Sequence, residues 1–177
     1  NLRWMIPTGE ALTVPLVRKW YNHFPDIKLL NAYGPTEASD DVTHHIVTPP
    51  QNGQLTIPIG KPVQNTHIYI MDQHLNLFPV GVRGEICVSG LGVGKGYWKN
   101  EEKTKEAFHP NPLLETIGNP DYANLYKTGD IGYFLEDGTL ICLGRVDEQV
   151  KIRGFRIELG EIENVLLEQE DVNEAVV

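Results

Sequence analysis

Between Pro15 and His23 apolar side chains recur at helical spacing, with Leu16, Trp20 and Phe24 four residues apart. Pro15 stands near the first turn and Pro25-Asp26 follows, so a helix is predicted over 15–23. "IKLLNAY" reads as a short apolar strand, and "IPIGKP" and "THIYIMD" are strand-like, the latter alternating at Ile68 and Ile70. "GEICVSG" is a further strand and runs into the glycine-rich "GLGVGKGYW". Residues 101–125 are polar and rich in Pro and Asn, which predicts a short helix and loop. "IGYFLEDGTLICLG" is the clearest hairpin, two β-rich runs joined at Asp137-Gly138, where glycine tolerates the left-handed turn. Toward the end, Ile162, Val165 and Leu166 share one helical face with acids opposite. Many short strands with few helices between them predict a mixed α/β chain: a barrel-like β region flanked by α/β pieces. The shift to a charge-dense segment near Asp147 marks the best candidate boundary, dividing 1–146 from 147–177.

Composition narrows the function classes. The 177 residues are 41% hydrophobic and 22% charged, ordinary for a globular protein. A formal net charge of −9 leaves no basic stripe for phosphate backbones, which argues against a nucleic-acid partner. No apolar run approaches a membrane span, so no membrane partner is expected. The chain opens on Asn-Leu-Arg-Trp and ends on the apolar "NEAVV", and is read as an excerpt of a longer, cytoplasmic protein. Cys87 and Cys142 sit in apolar runs, as buried reduced thiols do, and are too few for a zinc site.

Several stretches carry chemistry. "NAYGPTEASDD" packs an aromatic ring, a Gly-Pro break, a hydroxyl and three carboxylates into residues 31–41. It is either a solvated turn or a site that stacks a planar base, bonds a phosphate and holds a metal. The glycine run at 90–96 fits neither phosphate fingerprint. A Walker A loop needs Gly where Ser89 stands and Ser or Thr where Gly96 stands, and the dinucleotide motif fails at Lys95 and Tyr97. A tight β connection suits it better. "YKTGD" at 126–130 is either a turn entering the hairpin or a carboxylate set to accept from vicinal ribose hydroxyls. Arg145, Lys151, Arg153 and Arg156 make a cationic stretch interleaved with glycines. His44 and His45 are adjacent and point to opposite faces of a strand, so a shared metal is not expected.

Taken in order, "NAYGPTE", "GEICVSGLGVGKGYW", "YKTGD" and "GRVDEQVKIRGFRIELGEIE" closely resemble four consecutive core motifs of the adenylation domains of nonribosomal peptide synthetases. These belong to the adenylate-forming superfamily, with acyl-CoA synthetases and luciferase. The resemblance covers essentially the whole chain. It implies the C-terminal part of the large subdomain, an α/β piece plus a distorted β-barrel, over 1–146, and the start of a small α+β lid over 147–177. It implies that Tyr33 stacks on adenine with Asn31 at the base edge, that Gly34-Pro35 sets a turn bringing Thr36 to the α-phosphate, and that Glu37 binds Mg²⁺. Asp130 then accepts from the ribose, Arg145 and Lys151 make further ribose contacts, Asp147 is the hinge and Gly154 lines a pantetheine tunnel. Residue-by-residue matching puts Ile6, Thr8, Ala32, Asp40 and Asp41 at positions that select the substrate side chain. Two acids there suggest a polar or cationic side chain, unless one caps a helix after Ser39 and faces away.

The implied cofactors are ATP and Mg²⁺, with a phosphopantetheine thiol on a carrier domain. The implied partners are an amino acid, the peptidyl carrier domain and a condensation domain. A stand-alone acyl-CoA or aryl-acid ligase and a non-catalytic nucleotide-binding module are the alternatives. The last predicts loss of Thr36, Glu37, Asp130, Arg145 and Lys151, all of which are present. The family's upstream phosphate loop, the acid that holds the substrate amine and the downstream lysine are not in these residues. The isolated 177 residues are therefore expected not to catalyse ATP–pyrophosphate exchange, and robust exchange by the purified fragment would refute this.

Overall fold

The computed structural model describes residues 2–146, 150–152, 155–157, 159–169, 172 and 174–177. Asp147 and Gly154 lie outside the described residues, as does the side chain of Lys151. The elements in chain order are β1 (Trp4–Met5), α1 (Val14–His23), β2 (Lys28–Tyr33), β3 (Thr43–Val47), β4 (Lys61–Pro62), β5 (Thr66–Met71) and β6 (Gly84–Gly90). There follow α2 (Glu101–Ala107), β7 (Phe108–Pro110), α3 (Leu114–Ile117), β8 (Asn124–Phe134), β9 (Leu140–Arg145), β10 (Val150–Ile152), β11 (Phe155–Ile157) and α4 (Leu159–Leu167). No helix among the described residues is long and apolar enough to cross a membrane.

The helix near residue 15 forms as predicted, with Pro in its first turn, where the missing N–H costs nothing, and its end closed by the Phe24 N–H on the Trp20 carbonyl. Its buried face differs from the expected one. Val14 and Val17 enter the core, whereas Leu16 is 53% and Phe24 46% exposed. The apolar residues of 14–24 fit two adjacent faces, and packing against β2 and β3 selects one. Val14 and Val17 join Leu12, Leu29, Val47 and Ile57 in one cluster, and the Tyr21 hydroxyl donates to the Val47 carbonyl at 2.6 Å.

β1 runs parallel to β2, while β3 and β4 extend that sheet antiparallel, with Tyr33 opposite Thr43. The second sheet has the order β5-β6-β8-β7, and β9 also pairs with β8. Of "IPIGKP" only Lys61–Pro62 is strand, although Gly60 and Leu140 bond each other's backbones and join the two sheets. The main core lies at this junction: Val42 and Ile59 meet Ile68, Ile70, Ile86, Val88 and Leu140. Full burial of each such side chain contributes roughly 1.5–3 kcal/mol. The hairpin turns where predicted, Asp137 accepting from both the N–H and the hydroxyl of Thr139.

"YKTGD" requires a correction. It lies inside β8, not ahead of a strand. Gly129 is left-handed at φ 75°, and the β8–β9 register shifts between Ile131 and Gly132, so the strand carries a turn residue without ending. The α4 helix forms over the predicted stretch, and Ile162, Val165 and Leu166 are all exposed on it.

Cys87 is fully buried on β6, and burial first, then the nearby Glu85 charge, pushes its thiol up to about 12. Because the thiolate is the reactive form, Cys87 should resist iodoacetamide at pH 8 in the folded protein and be labelled after denaturation. Peptide mass spectrometry reads this directly, and rapid native labelling would contradict the packing.

Candidate functional site

Tyr33 closes β2 and Asp130 sits in β8, yet the Tyr33 hydroxyl donates to Asp130 Oδ2 at 2.6 Å. Tyr126, Thr128 and Asp130 are all buried along β8, and local hydrogen bonds fix the aim of the acid. Arg145 lies opposite Asp130 on β9, and its guanidinium donates to Oδ1 at 3.1 Å and to the Thr128 carbonyl at 3.0 Å. Thr128 completes the frame, accepting from the Asp130 N–H at 3.0 Å and donating to the Ile86 carbonyl at 2.8 Å. Behind it Glu85 accepts from the Gly129 N–H and pairs with Lys127 at 3.2 Å. Asp130 and Arg145 keep only 10% and 15% of their side-chain surfaces exposed. Burial, followed by the adjacent Asp130 charge, holds the Tyr33 hydroxyl well above the usual phenol range, so it remains a donor.

Tyr33, Asp130 and Arg145 line a cleft of about 710 Å³ together with Asn31, Ala32, Gly34 and the 9–15 segment. Asn31 is buried and donates Nδ2 to the Pro58 carbonyl at 2.7 Å, which leaves Oδ1 as its acceptor. A carboxylate offers about four lone-pair directions, so Asp130 can take further donors while still holding Tyr33 and Arg145. One wall thus combines an aromatic ring, an amide acceptor and a braced carboxylate, the donors and acceptors that a nucleoside's base and sugar require.

Thr36 and Glu37 line a neighbouring cleft of about 760 Å³ with Ser39, Gly94 and Tyr97. They lie on a single 3₁₀ turn, Thr36–Ala38, entered from Pro35. Gly34 opens the loop that returns the chain from Tyr33 to Thr43, in which the left-handed residues are Ser39 and Asp40, at φ 64° and 74°. Gly34 is required for room, because a Cβ there would collide with the Asp40 carbonyl oxygen. Glu37 accepts from the Tyr97 hydroxyl at 2.6 Å. Among the described residues no three His, Cys, Asp or Glu side chains cluster as a metal cage. A single carboxylate beside a hydroxyl fits Mg²⁺, which is held chiefly by substrate phosphates and water.

The five positions matched to substrate selection are not all drawn together. Ala32 is buried and lines the first cleft. Thr8 donates to Asp41 Oδ1 at 3.3 Å, and Asp41 Oδ2 meets His44 Nε2 at 3.4 Å. Ile6 and Asp40 are exposed. No helix starts after Ser39, where the next element is β3, so neither acid serves as a helix cap. His45 is partly buried, which lowers its pKa against the opposing pull of Asp137. The backbone of Lys151 pairs with Arg156 across β10 and β11. Sequence reasoning missed Thr128 and Tyr97. A threonine hydroxyl two residues before the acid, placed to accept from its N–H, was the signal for the first; nothing local pointed to the second.

Residues 1–98 match the family described as AMP-binding enzyme. Tyrocidine synthase 1 of Brevibacillus parabrevis is 48% identical over 177 residues, covering 100% of this chain and 15% of the relative. The chain therefore spans a small part of the proteins it matches. An NRPS protein containing adenylation and PCP domains, bound to a vinylsulfonamide inhibitor, superposes with a TM-score of 0.86 at 31% identity, over 98% of this chain and 29% of that one. The Vibrio cholerae adenylation domain AlmE, in complex with glycyl-adenosine-5′-phosphate, does so at 0.77 and 33% identity, over 94% and 30%. The mixed α/β architecture is thus that of the adenylate-forming fold.

Tyr33→Phe keeps the ring and removes one donor to a buried carboxylate. It should lower stability by roughly 1.5–3 kcal/mol, read as a fall in the urea midpoint of the full polypeptide. An unchanged midpoint would mean that the hydroxyl is not engaged with Asp130.

Proposed function

Because this chain belongs to the AMP-binding enzyme family, we propose that it forms the adenylate-gripping part of an amino-acid-activating adenylation domain in a nonribosomal peptide synthetase. The observation that carries this reading is the hydrogen bond from Tyr33 to Asp130, which joins an aromatic face and a sugar acceptor in one cleft. Tyr33 stacks on adenine while Asn31 Oδ1 accepts from the base edge. Asp130 accepts from the ribose hydroxyls, Arg145 steadies that carboxylate and adds a ribose contact, and Lys151 reaches the ribose and its bridging oxygen. Thr36 donates toward the α-phosphate from the adjoining turn.

The reaction is attack of a substrate carboxylate oxygen on the α-phosphorus of ATP. A mixed carboxylic–phosphoric anhydride bond forms between that oxygen and the α-phosphorus, the bond from the α-phosphorus to the oxygen bridging it to the β-phosphate breaks, and aminoacyl-AMP and pyrophosphate result. The nucleophile is already ionised at neutral pH, so no general base is needed. Alignment and charge neutralisation supply the rate. Glu37 would hold Mg²⁺, which when bound neutralises charge on the phosphates. Residues 1–146 form the large-subdomain part, and Asp147 is the hinge of a lid that begins at 147–177. After the lid swings, Gly154 lines the path of a carrier domain's phosphopantetheine thiol, which attacks the acyl carbonyl, forms a thioester and releases AMP, so that a condensation domain receives the acyl group. The enzyme works in the cytoplasm, and the isolated 177 residues are inactive. Asp41 is the acid that reads the substrate side chain, assisted by Thr8 and His44.

ATP–pyrophosphate exchange by the full polypeptide with a panel of amino acids tests the reading. Exchange should require an amino acid, and Asp130→Asn should raise the KM for ATP at least tenfold, as loss of a charged acceptor predicts. Absence of exchange with every amino acid would overturn the activity, and exchange with aliphatic amino acids alone would overturn the role of Asp41.

A further inference from the structure

The glycine run fits neither phosphate fingerprint, and its actual contacts are with the turn that carries Glu37. The Gly94 N–H donates to the Glu37 carbonyl at 2.8 Å, and Ser39 Oγ donates to the Gly92 carbonyl at 2.8 Å. A Cβ on Gly94 would stand 3.2 Å from the Glu37 carbonyl oxygen, and one on Gly92 would stand 2.9 Å from that of Ala38. Side chains at these positions would lift the segment off the turn.

The run ends at Tyr97, whose position is fixed from several sides. Its N–H donates to Thr104 Oγ1 at 2.9 Å, at the start of α2, where Asn100 caps the Lys103 N–H at 3.0 Å. Its ring meets Phe108 edge-on at 5.5 Å, and Phe108 leans on Tyr126 of β8 at 4.9 Å. From there the hydroxyl donates to Glu37 Oε1 at 2.6 Å, a length typical of a strong bond to an ionised acceptor.

We propose that Tyr97 is a positioning residue for Glu37, and that the 90–97 segment is a brace holding the backbone and the carboxylate of that residue in one orientation. Glutamate has three rotatable side-chain bonds, and fixing them before the ligand arrives removes an entropic cost from binding. This inference rests on the adenylate-forming reading, in which Glu37 is the acid that holds the divalent cation.

Mn²⁺ binding by the full polypeptide, followed by electron paramagnetic resonance with a non-hydrolysable ATP analogue present, tests it without turnover. Tyr97→Phe keeps the ring packing and should weaken Mn²⁺ at least tenfold, in the 10- to 100-fold range seen when a ligand's supporting hydrogen bond is removed. Added to Glu37→Gln, the same change should cost less than twofold, because its effect runs through the carboxylate. Wild-type Mn²⁺ affinity in Tyr97→Phe, or a further tenfold loss in the double variant, would overturn the proposal while leaving the adenylate reading intact. Wild-type affinity in Glu37→Gln, or no nucleotide-dependent Mn²⁺ site in the unaltered protein, would remove the reading itself and the brace with it.

Discussion

A phenol and a carboxylate separated by 97 positions of chain meet at 2.6 Å, and much of the cleft is organised by that contact. Tyr33 ends a strand of one sheet and Asp130 lies within the other, so the bond exists only if both sheets pack in one register. The main core enforces that register with Val42 and Ile59 on one side and Ile68, Ile86 and Leu140 on the other. The Gly60–Leu140 backbone pair then locks the seam. Hydrophobic burial supplies the energy of the junction, while the polar contacts determine its alignment.

An ion pair as buried as Asp130–Arg145 is weak evidence of stability, because desolvation of both groups opposes their attraction. Its value lies in direction. Asp130 receives Tyr33 on one oxygen and Arg145 on the other, and Thr128 receives its N–H. Such an acceptor is oriented in advance, so an incoming donor meets a carboxylate that need not reorganise. The Tyr97–Glu37 bond repeats this design on the adjoining turn. In each case a phenol holds a carboxylate that is distant along the chain.

How much of this could be read from sequence depends on the range of the interaction. The hairpin at Asp137-Gly138 was legible because its cause is local: an acid bonding two residues onward beside a left-handed glycine. The existence of α1 was legible for the same reason, but its buried face was not, since Leu16 and Val17 are equally apolar and only the facing sheet distinguishes them. "YKTGD" was misread as preceding its strand because glycine and aspartate are turn residues by composition, whereas pairing with β6 and β9 keeps the strand running through them. The resemblance of four motifs gathered Tyr33, Asp130 and Arg145 around one adenylate, yet it contained no statement that they bond one another. Nor could it reveal Tyr97, whose partner lies 60 positions away.

The two clefts are connected by one short piece of chain. Asn31, Ala32, Tyr33 and Gly34 line the first, and after Pro35 the residues Thr36 and Glu37 line the second. Any shift of this segment therefore moves the Tyr33 ring and the Thr36 hydroxyl together. The crowding around it restricts such shifts: Gly34 lies too close to the Asp40 carbonyl to admit a side chain, and the Val42 N–H bonds back to the Tyr33 carbonyl at 2.8 Å. Ser39 and Asp40 accept left-handed backbone to make that closure, a conformation that costs non-glycine residues energy. The loop is thus strained at its far end and pinned at its near end. That combination keeps the spacing between the two clefts constant, the geometric condition for aligning reacting groups held in each.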